Sequence, residues 1–405
     1  MHILLVHQSF VALDEPGGTR HYELARYFAS QGHSVTVVAS PISYLTGKGR
    51  EQRQDWVERR SEAGIVILRS YTYAALHRSF VHRIFSFLSF MFSSFVVGLT
   101  VRGVDAVWGT SPPIFQAVTG WALARLKRVP FLFEVRDLWP AFAVEVGVLR
   151  NRLLIGASER LERFLYRHAD RVVVNSPGFV EHVRQRGAHN ITVVPNSSDP
   201  RMFDPQADGA VFRQQYGLAD RFVVLYAGAH GISNDLGVVL EAAQRLQDRP
   251  EVAIVFLGDG KEKPSLVARA QEMRLNNVHF LAPVPKAVMG QVFHGSDACL
   301  AILKPIPLYA TVYPNKVFDY MAAGKPVLLA IDGAIRQVVE TAQAGIFVAP
   351  GNAAALAEAI CKLADQPQAA IQMGANGRQY ILDHFDRALL ADRLLQIFLE
   401  LNNTV

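Results

Sequence analysis

The feature that most restricts the fold of this chain is an alternation, sustained almost from end to end, of short apolar runs with amphipathic helical stretches. The runs HILLV (2–6), SVTVVA (34–39), GIVILR (64–69), DAVWG (105–109), PFLFEV (130–135), RVVVN (171–175) and ITVVP (191–195) are nearly continuous in hydrophobic residues. Such strands suit a parallel sheet covered on both faces. RHYELARYFASQGH, with apolar residues at helical spacing and a terminating Gly32, reads as a crossover helix. A Pro/Asn/Asp/Ser cluster, PNSSDPRMFDP (195–205), reads as a linker. Beyond it a second series runs RFVVLYAG (221–228), VAIVFLGDG (252–260), VHFLAPV (278–284), ACLAIL (298–303), PVLLAI (326–331) and GIFVAP (345–350). The pattern predicts an α/β protein of two Rossmann-like doubly wound domains, 1–200 and 201–385. A closing helix over 386–405 is free to pack back on the N-terminal domain. At 405 residues the chain is too long for one ordinary core, in line with that division. Open α/β sheets bind ligands at the carboxyl ends of their strands, so two such domains facing one another would hold a ligand in a central cleft.

Half of the residues are hydrophobic and 19% are charged, a balance of packed rather than disordered chains. Cys299 and Cys361 stand in apolar contexts and read as small core residues of a reducing compartment. The start MHILLVHQSF has neither a basic n-region nor a small-residue cleavage site, so a cytoplasmic protein is expected. The first 200 residues carry 23 Lys+Arg against 16 Asp+Glu, and the rest 18 against 20. By charge alone the basic half could attract nucleic acid or an anionic membrane, or be a solvated face without a partner; of these the membrane is the expected partner and nucleic acid is not.

Three loops hold candidate chemistry. After the first strand, Gly17-Gly18 precedes a helix whose free N–H groups would face an anion, with Arg20 or His21 beside it; a plain turn is the alternative. In YPNKVFDYMAAGKPV (313–327), Pro314 fits a helix boundary and Lys316 adds a point charge at the first turn. Asp319 falls one turn beyond Asn315, where its carboxylate could accept from paired hydroxyls such as a ribose's, or else simply face solvent. A nucleoside diphosphate would satisfy this set. EVRDLWP puts Glu134, Arg136 and Asp137 at a strand end, either to orient a hydroxyl or, for Arg136 and Asp137, as a structural ion pair.

The 313–327 segment resembles the nucleotide-binding helix of retaining glycosyltransferases of the GT-B fold, family 4. In that family two glutamates separated by seven residues precede AMAAGKPV. The second falls at Asp319 and the first at Thr311. This departure is similar to a branch typified by O-antigen and exopolysaccharide transferases of the WbuB and colanic-acid type. GGT (17–19), FEVRDLWP (133–140), VVPNSSD (193–199), LYAGAHGISNDLGVVLEAA (225–243) and FLGDGKEKPSL (256–266) follow in family order, so the resemblance covers nearly the whole chain.

The resemblance implies that Asp319 binds ribose and that Gly258, Asp259 and Gly260, with 280–284, pocket the base. It implies that Asn315, Lys316 and the backbone at Gly17 and Gly18 hold the diphosphate and sugar, and that Asp137 orients a hydroxyl. The Arg and Lys usual after the strand at 223–227 are missing from AGAHGISNDLG, so Lys304, Lys316 or Arg20 would offset the leaving group's charge, with His230 and Asn234 as sugar contacts. No cofactor or metal is expected beyond the donor, a UDP-sugar by family resemblance, which would carry an N-acetylated hexosamine or a deoxyhexosamine. The alternatives are a UDP-N-acetylglucosamine 2-epimerase type of sugar-nucleotide enzyme and a non-catalytic sugar-nucleotide-binding relative.

IFSFLSFMFSSFVVGLTV (84–101) is uncharged and flanked by Arg78, His82, Arg83 and Arg102. Its length would permit a spanning helix, yet it links two strands of one sheet. Ser86, Ser89 and Ser93 offer a narrow face for packing on the domain, while phenylalanines 85, 87, 92 and 95 point in too many directions to be all core. A monotopic helix in the inner leaflet, aided by basic residues of 48–83, is expected, giving a peripheral enzyme whose acceptor is a lipid-linked saccharide.

Overall fold

The computed structural model describes residues 1–43, 49, 56–74, 80–203 and 208–403. Lys48, Arg50, Arg53, Arg78 and the linker's end at 204–205 lie outside these. Two compact units result: Met1–Ala12, Thr19–Pro195 and Ala388–Val405 form one, Leu13–Gly18 and Asn196–Arg387 the other.

The first unit is an eight-stranded sheet of β1 (His2–Val6), β2 (Ser34–Ala39), β3 (Val57–Glu62), β4 (Ile65–Ser70), β5 (Ala106–Ser111), β6 (Phe131–Val135), β7 (Arg171–Val174) and β8 (Ile191–Val193). The order is β3-β4-β2-β1-β5-β6-β7-β8, parallel throughout except for β3, which runs antiparallel to β4. Leu5 sits opposite both Val37 and Trp108, fixing the centre of the register. β1, β5 and β6 are buried along almost every residue because both faces are covered. β3, VERRSE, has no apolar pattern to announce it; it is a charged, exposed edge strand, a composition that blunts edge pairing. The helices are α1 (Arg20–Ser30), α2 (Phe80–Thr100), α3 (Phe115–Lys127), α4 (Ala141–Glu145), α5 (Arg152–His168) and α6 (Val180–Gln185).

The second unit has a six-stranded, wholly parallel sheet: β9 (Phe222–Ala227), β10 (Val252–Leu257), β11 (Val278–Leu281), β12 (Ala298–Ile302), β13 (Val327–Ala330) and β14 (Gly345–Phe347), in the order β11-β10-β9-β12-β13-β14. It carries α7 (Ala210–Gln215), α8 (Leu236–Arg245), α9 (Lys263–Glu272), α10 (Met289–His294), α11 (Asn315–Ala322), α12 (Ala334–Thr341), α13 (Ala353–Asp365) and α14 (Pro367–His384). The last helix, α15 (Arg387–Asn403), packs into the first unit, where Phe398 meets Phe28 and Trp108. Strand order reverses at β1/β5 in one sheet and at β9/β12 in the other. These are the switch points at which doubly wound sheets open a crevice beyond their carboxyl ends.

Candidate functional site

The switch point of the second unit is lined by the loops after β9 and β12 and by the start of α11. The 228–230 and 258–260 backbones press together there: a Cβ on Gly258 would lie 1.9 Å from the Gly228 carbonyl oxygen, and one on Gly260 2.4 Å from that of His230. Only glycine permits this approach. Lys263 Nζ donates to the carbonyls of Gly258 and Leu281, and the Asn234 amide to that of Ala229, so both side chains are spent on holding the loops. His230 is fully buried against Tyr226, Phe256 and Phe280, with neither ring nitrogen hydrogen-bonded. Burial, with Lys263 and Lys316 near, lowers its pKa to about 4, so it is a neutral ring at physiological pH.

Lys316 stands in the first turn of α11, a helix without a side-chain N-cap. Its ammonium lies 4.0 Å over the Tyr226 ring and has no carboxylate partner among the described residues. Burial depresses its pKa to about 7. A lysine in that position, beside the N–H groups of a helix start, suits an anionic group. Asp319, one turn on, is 8% exposed and engaged from three sides. Lys286 Nζ donates to its Oδ2 at 2.5 Å, Asn315 Nδ2 to the same oxygen at 3.2 Å, and Ser198 Oγ to Oδ1 at 2.7 Å. Arg387, 3% exposed, donates to the Ser197 carbonyl and to Asn315 Oδ1, and Asn196 to the Tyr313 carbonyl. The NSSD segment therefore clamps the start of α11.

In the first unit, residues just beyond β1, β5, β6 and β7 gather at the other switch point. Arg136 donates to Thr110 Oγ1 and the Pro112 carbonyl. Asp137 accepts from the Leu138 backbone; burial pushes its carboxyl up to about 7 against the opposing pull of Arg136. His7, Gln8 and Asn175 stand on the neighbouring strand ends, each with a buried polar atom lacking a partner: both His7 nitrogens, Gln8 Oε1 and Asn175 Oδ1. Unsatisfied buried acceptors beside a carboxyl that titrates near neutrality suit a hydroxyl-bearing ligand. Nothing in a lone His, Gln or Asn marks them in the sequence; their signal is position, directly after a buried parallel strand.

Residues 17–197 match the Glycosyl transferase 4-like domain and residues 221–366 the Glycosyl transferases group 1 domain. The chain is a glycosyltransferase of the GT-B fold. Among its relatives is the putative colanic acid biosynthesis glycosyl transferase WcaI of Escherichia coli K12, 27% identical over 75% of this chain and 76% of that one. Sucrose-phosphate synthase from Thermosynechococcus elongatus has the same fold, with a TM-score of 0.81 at 19% identity and complete coverage of both chains. So does Anabaena HepE, solved in complex with UDP-glucose, at TM-score 0.74 and 18% identity over 99% of this chain and 100% of that one.

Against this glycosyltransferase site several sequence expectations change. Arg20 cannot offset a leaving group: Nε donates to Glu134 at 3.0 Å and its other nitrogens to the carbonyls of Pro195 and Val194. Glu134 is not an acceptor contact, being fully buried between Arg20, His21 at 2.6 Å and Trp108 at 3.1 Å. Asp319 does not simply face solvent: both of its oxygens accept within the unit, from Lys286, Asn315 and Ser198, which makes it a strut of the site. Asn315 is turned to Asp319 and Arg387, Asn234 to its own loop, and the Thr311 hydroxyl donates to the Leu308 carbonyl. Asp259 Oδ1 accepts from the Gly260 N–H. Arg136 and Asp137 form no ion pair with each other. Lys304 is half-buried with its charge near Asp235. Gly17 and Gly18 lie in an exposed loop of the second unit, where the Ala287 N–H donates to the Leu13 carbonyl. No group of three or more His, Cys, Asp or Glu among the described residues is placed to hold a metal ion.

The strut role is testable. Asp319→Asn leaves Lys286 buried without its counter-charge, which should cost about 3–5 kcal/mol of stability. Thermal melting of the unliganded protein should fall accordingly; an unchanged melt with loss of nucleotide binding would make Asp319 a ligand contact instead.

Proposed function

We propose that the protein is a retaining glycosyltransferase of bacterial surface polysaccharide synthesis, of the O-antigen and exopolysaccharide branch. It moves a sugar, an N-acetylated hexosamine or a deoxyhexosamine, from a UDP-sugar to a lipid-linked saccharide at the inner face of the cytoplasmic membrane. The observation that carries the donor half of this reading is Lys316, an unpaired ammonium at the free start of α11 on the switch point of its sheet. A diphosphate supplies the missing negative charge, and the cation stabilises the charge that grows on the leaving phosphate. The acceptor oxygen bonds to the anomeric carbon on the face that the diphosphate leaves. The breaking C–O bond's electron pair stays on the β-phosphate oxygen, which takes the acceptor's proton, so the configuration is retained without a metal. Asp137, His7 and Asn175 orient the acceptor hydroxyl. A UDP, GDP, TDP and ADP thermal-shift series, with and without Mg²⁺, tests the donor: UDP alone should stabilise, without metal, and not in Lys316→Ala. No response to any nucleotide would instead favour a non-catalytic relative.

Support for the membrane half comes from α2. Val81–Thr100 is long and apolar enough to cross a membrane. One side packs on the unit: Ser93 donates to the Tyr71 carbonyl, Ser94 to Thr119, and Gly98 abuts Leu123. Val81, Phe85, Leu88, Phe92 and Leu99 repeat at helical spacing on the opposite side and are exposed, Phe92 by 63%. Such a stripe, about 27 Å long at 1.5 Å per residue, suits insertion along one leaflet. Phe87 instead meets Phe115 at 6.0 Å, so Phe85 and Phe92 are the aromatic anchors. Phe85→Ser/Phe92→Ser should release the protein from vesicles containing anionic lipid; undiminished flotation would remove the membrane from this reading.

A further inference from the structure

Outside α2, the first unit exposes a second group of large apolar side chains where α4 turns into α5. Val144, Val148, Leu153 and Leu154 are all exposed, and Leu153, at 84%, is the barest of the large hydrophobic side chains among the described residues. The corner has a fixed shape: the Asn151 side chain caps α5 by accepting from the N–H groups of Leu153 and Leu154, and Arg150 Nε donates to the Gly147 carbonyl. Leu149 and Phe142 are its buried anchors. The leucines are therefore held outward by a capped helix start.

Charge and position select what covers them. Arg150 and Arg152 immediately precede the leucines, and Glu145 is the only acid in 141–158. Apolar side chains beside arginines, with few acids near in sequence, match the boundary between acyl chains and anionic headgroups. α5 follows β6 as α2 follows β4, so both helices start at the carboxyl edge of the parallel strands, and α3 packs against both. Between the two lies the loop carrying Asp137, joined to α2 through the rings of Phe87, Phe115 and Trp139 at 6.0 and 6.3 Å.

We propose that the α4–α5 corner is a second membrane contact, inserting Leu153 and Leu154 into an anionic phospholipid surface. The first unit then rests on the bilayer at two points, with the Asp137 loop between them. A saccharide displayed at headgroup height is thus presented to that loop, whereas a single helix would leave the unit free to roll about its axis. This rests on the reading that α2 docks on a membrane, and the test separates the two.

The full-length chain with Cys361→Ser, in which Cys299 is buried, would carry an NBD fluorophore at Leu153→Cys or, separately, at Phe92→Cys. Each would be mixed with phosphatidylcholine vesicles, with and without phosphatidylglycerol. Blue-shifted, brighter emission at both positions on the phosphatidylglycerol vesicles is the expected result. Leu153→Ser/Leu154→Ser should weaken partitioning by about tenfold or more, as expected for withdrawing two leucines from lipid. Because both leucines are exposed, the melt of the unbound protein should not change. Arg150→Glu/Arg152→Glu should abolish the preference for phosphatidylglycerol. A shift at position 92 with none at 153 would overturn the second contact while leaving α2 docked. No shift at either, with no vesicle binding by the unlabelled protein, would remove the membrane reading as well. A shift at 153 without vesicles, growing with protein concentration, would reassign the corner to contact between copies of the chain and overturn the proposal.

Discussion

Lys316→Ala is expected to lower kcat/KM for the sugar-nucleotide donor by about a hundred- to a thousand-fold, the usual loss when one preorganised charge is removed from a developing oxyanion. The side chain lies over Tyr226 with no acid paired to it among the described residues, and burial holds its pKa at about 7. Diphosphate binding raises that pKa again by supplying the counter-charge. Complex formation therefore takes up a proton once the pH exceeds about 7, and donor affinity falls as the pH rises, by up to about tenfold per unit until the bound-state pKa is reached. Calorimetry of UDP binding in two buffers of different ionisation enthalpy reads the uptake directly. It should be absent in Lys316→Ala and in Lys316→Arg, whose guanidinium stays protonated. A pH-independent affinity in the native protein would mean that Lys316 is not the diphosphate's partner.

Glu134→Ala should cost about 3–5 kcal/mol, because it strands Arg20 as a buried cation and leaves the His21 and Trp108 N–H groups unpaired. In a unit of this size that lowers the melting temperature by roughly 10 °C. The same knot shapes the acid limb of stability. His21 is lowered to about 4 and His7 also lies well below its ordinary value, both chiefly through burial. Each must gain a proton on unfolding below about pH 6.5, so stability falls as the pH drops from 6.5 towards 4. Glu134's folded pKa is lowered by His21 and Arg20, despite its burial. Its contribution is present above the ordinary carboxylate range and is lost as the pH falls through the depressed value. Calorimetric melts from pH 6.5 down to below the ordinary carboxylate range should show the histidine effect first and the Glu134 effect at the acid end, and a melt of Glu134→Ala matching the native one would refute the knot.

These two residues also show what the sequence can and cannot carry. Apolar run length placed thirteen of the strands, because a parallel strand covered on both faces must be hydrophobic along its length, whereas the strand order that sets the two switch points is a matter of long-range pairing. β3 escaped since an exposed edge has no such need. Glu134 and Asp137 looked alike in EVRD. Glu134, however, is the fourth residue of β6, and the strand's period of two turns it beneath α1 beside Trp108, whereas Asp137 lies past the strand's end, where a ligand is met. Lys316 was legible as a cation at a helix start; its lack of a partner was not. Asp319's partners Lys286 and Ser198 lie 33 and 121 residues away, beyond any local pattern. The serines of α2 foretold its packed side, yet only the packing of Phe87 on Phe115 separates that half-buried phenylalanine from the exposed Phe85 and Phe92.

Transfer from a UDP-sugar to a lipid-linked saccharide with retention is the proposed reaction. The measurement that tests it most directly is incubation with a series of UDP-sugars and vesicles bearing polyprenyl-diphosphate-linked saccharides, in the presence of EDTA, with release of UDP followed and the product linkage read by proton NMR. UDP should be released only when the acceptor is present, with a new glycosidic bond of the donor's anomeric configuration. An inverted linkage, or conversion of the UDP-sugar to its epimer without any acceptor, would contradict it.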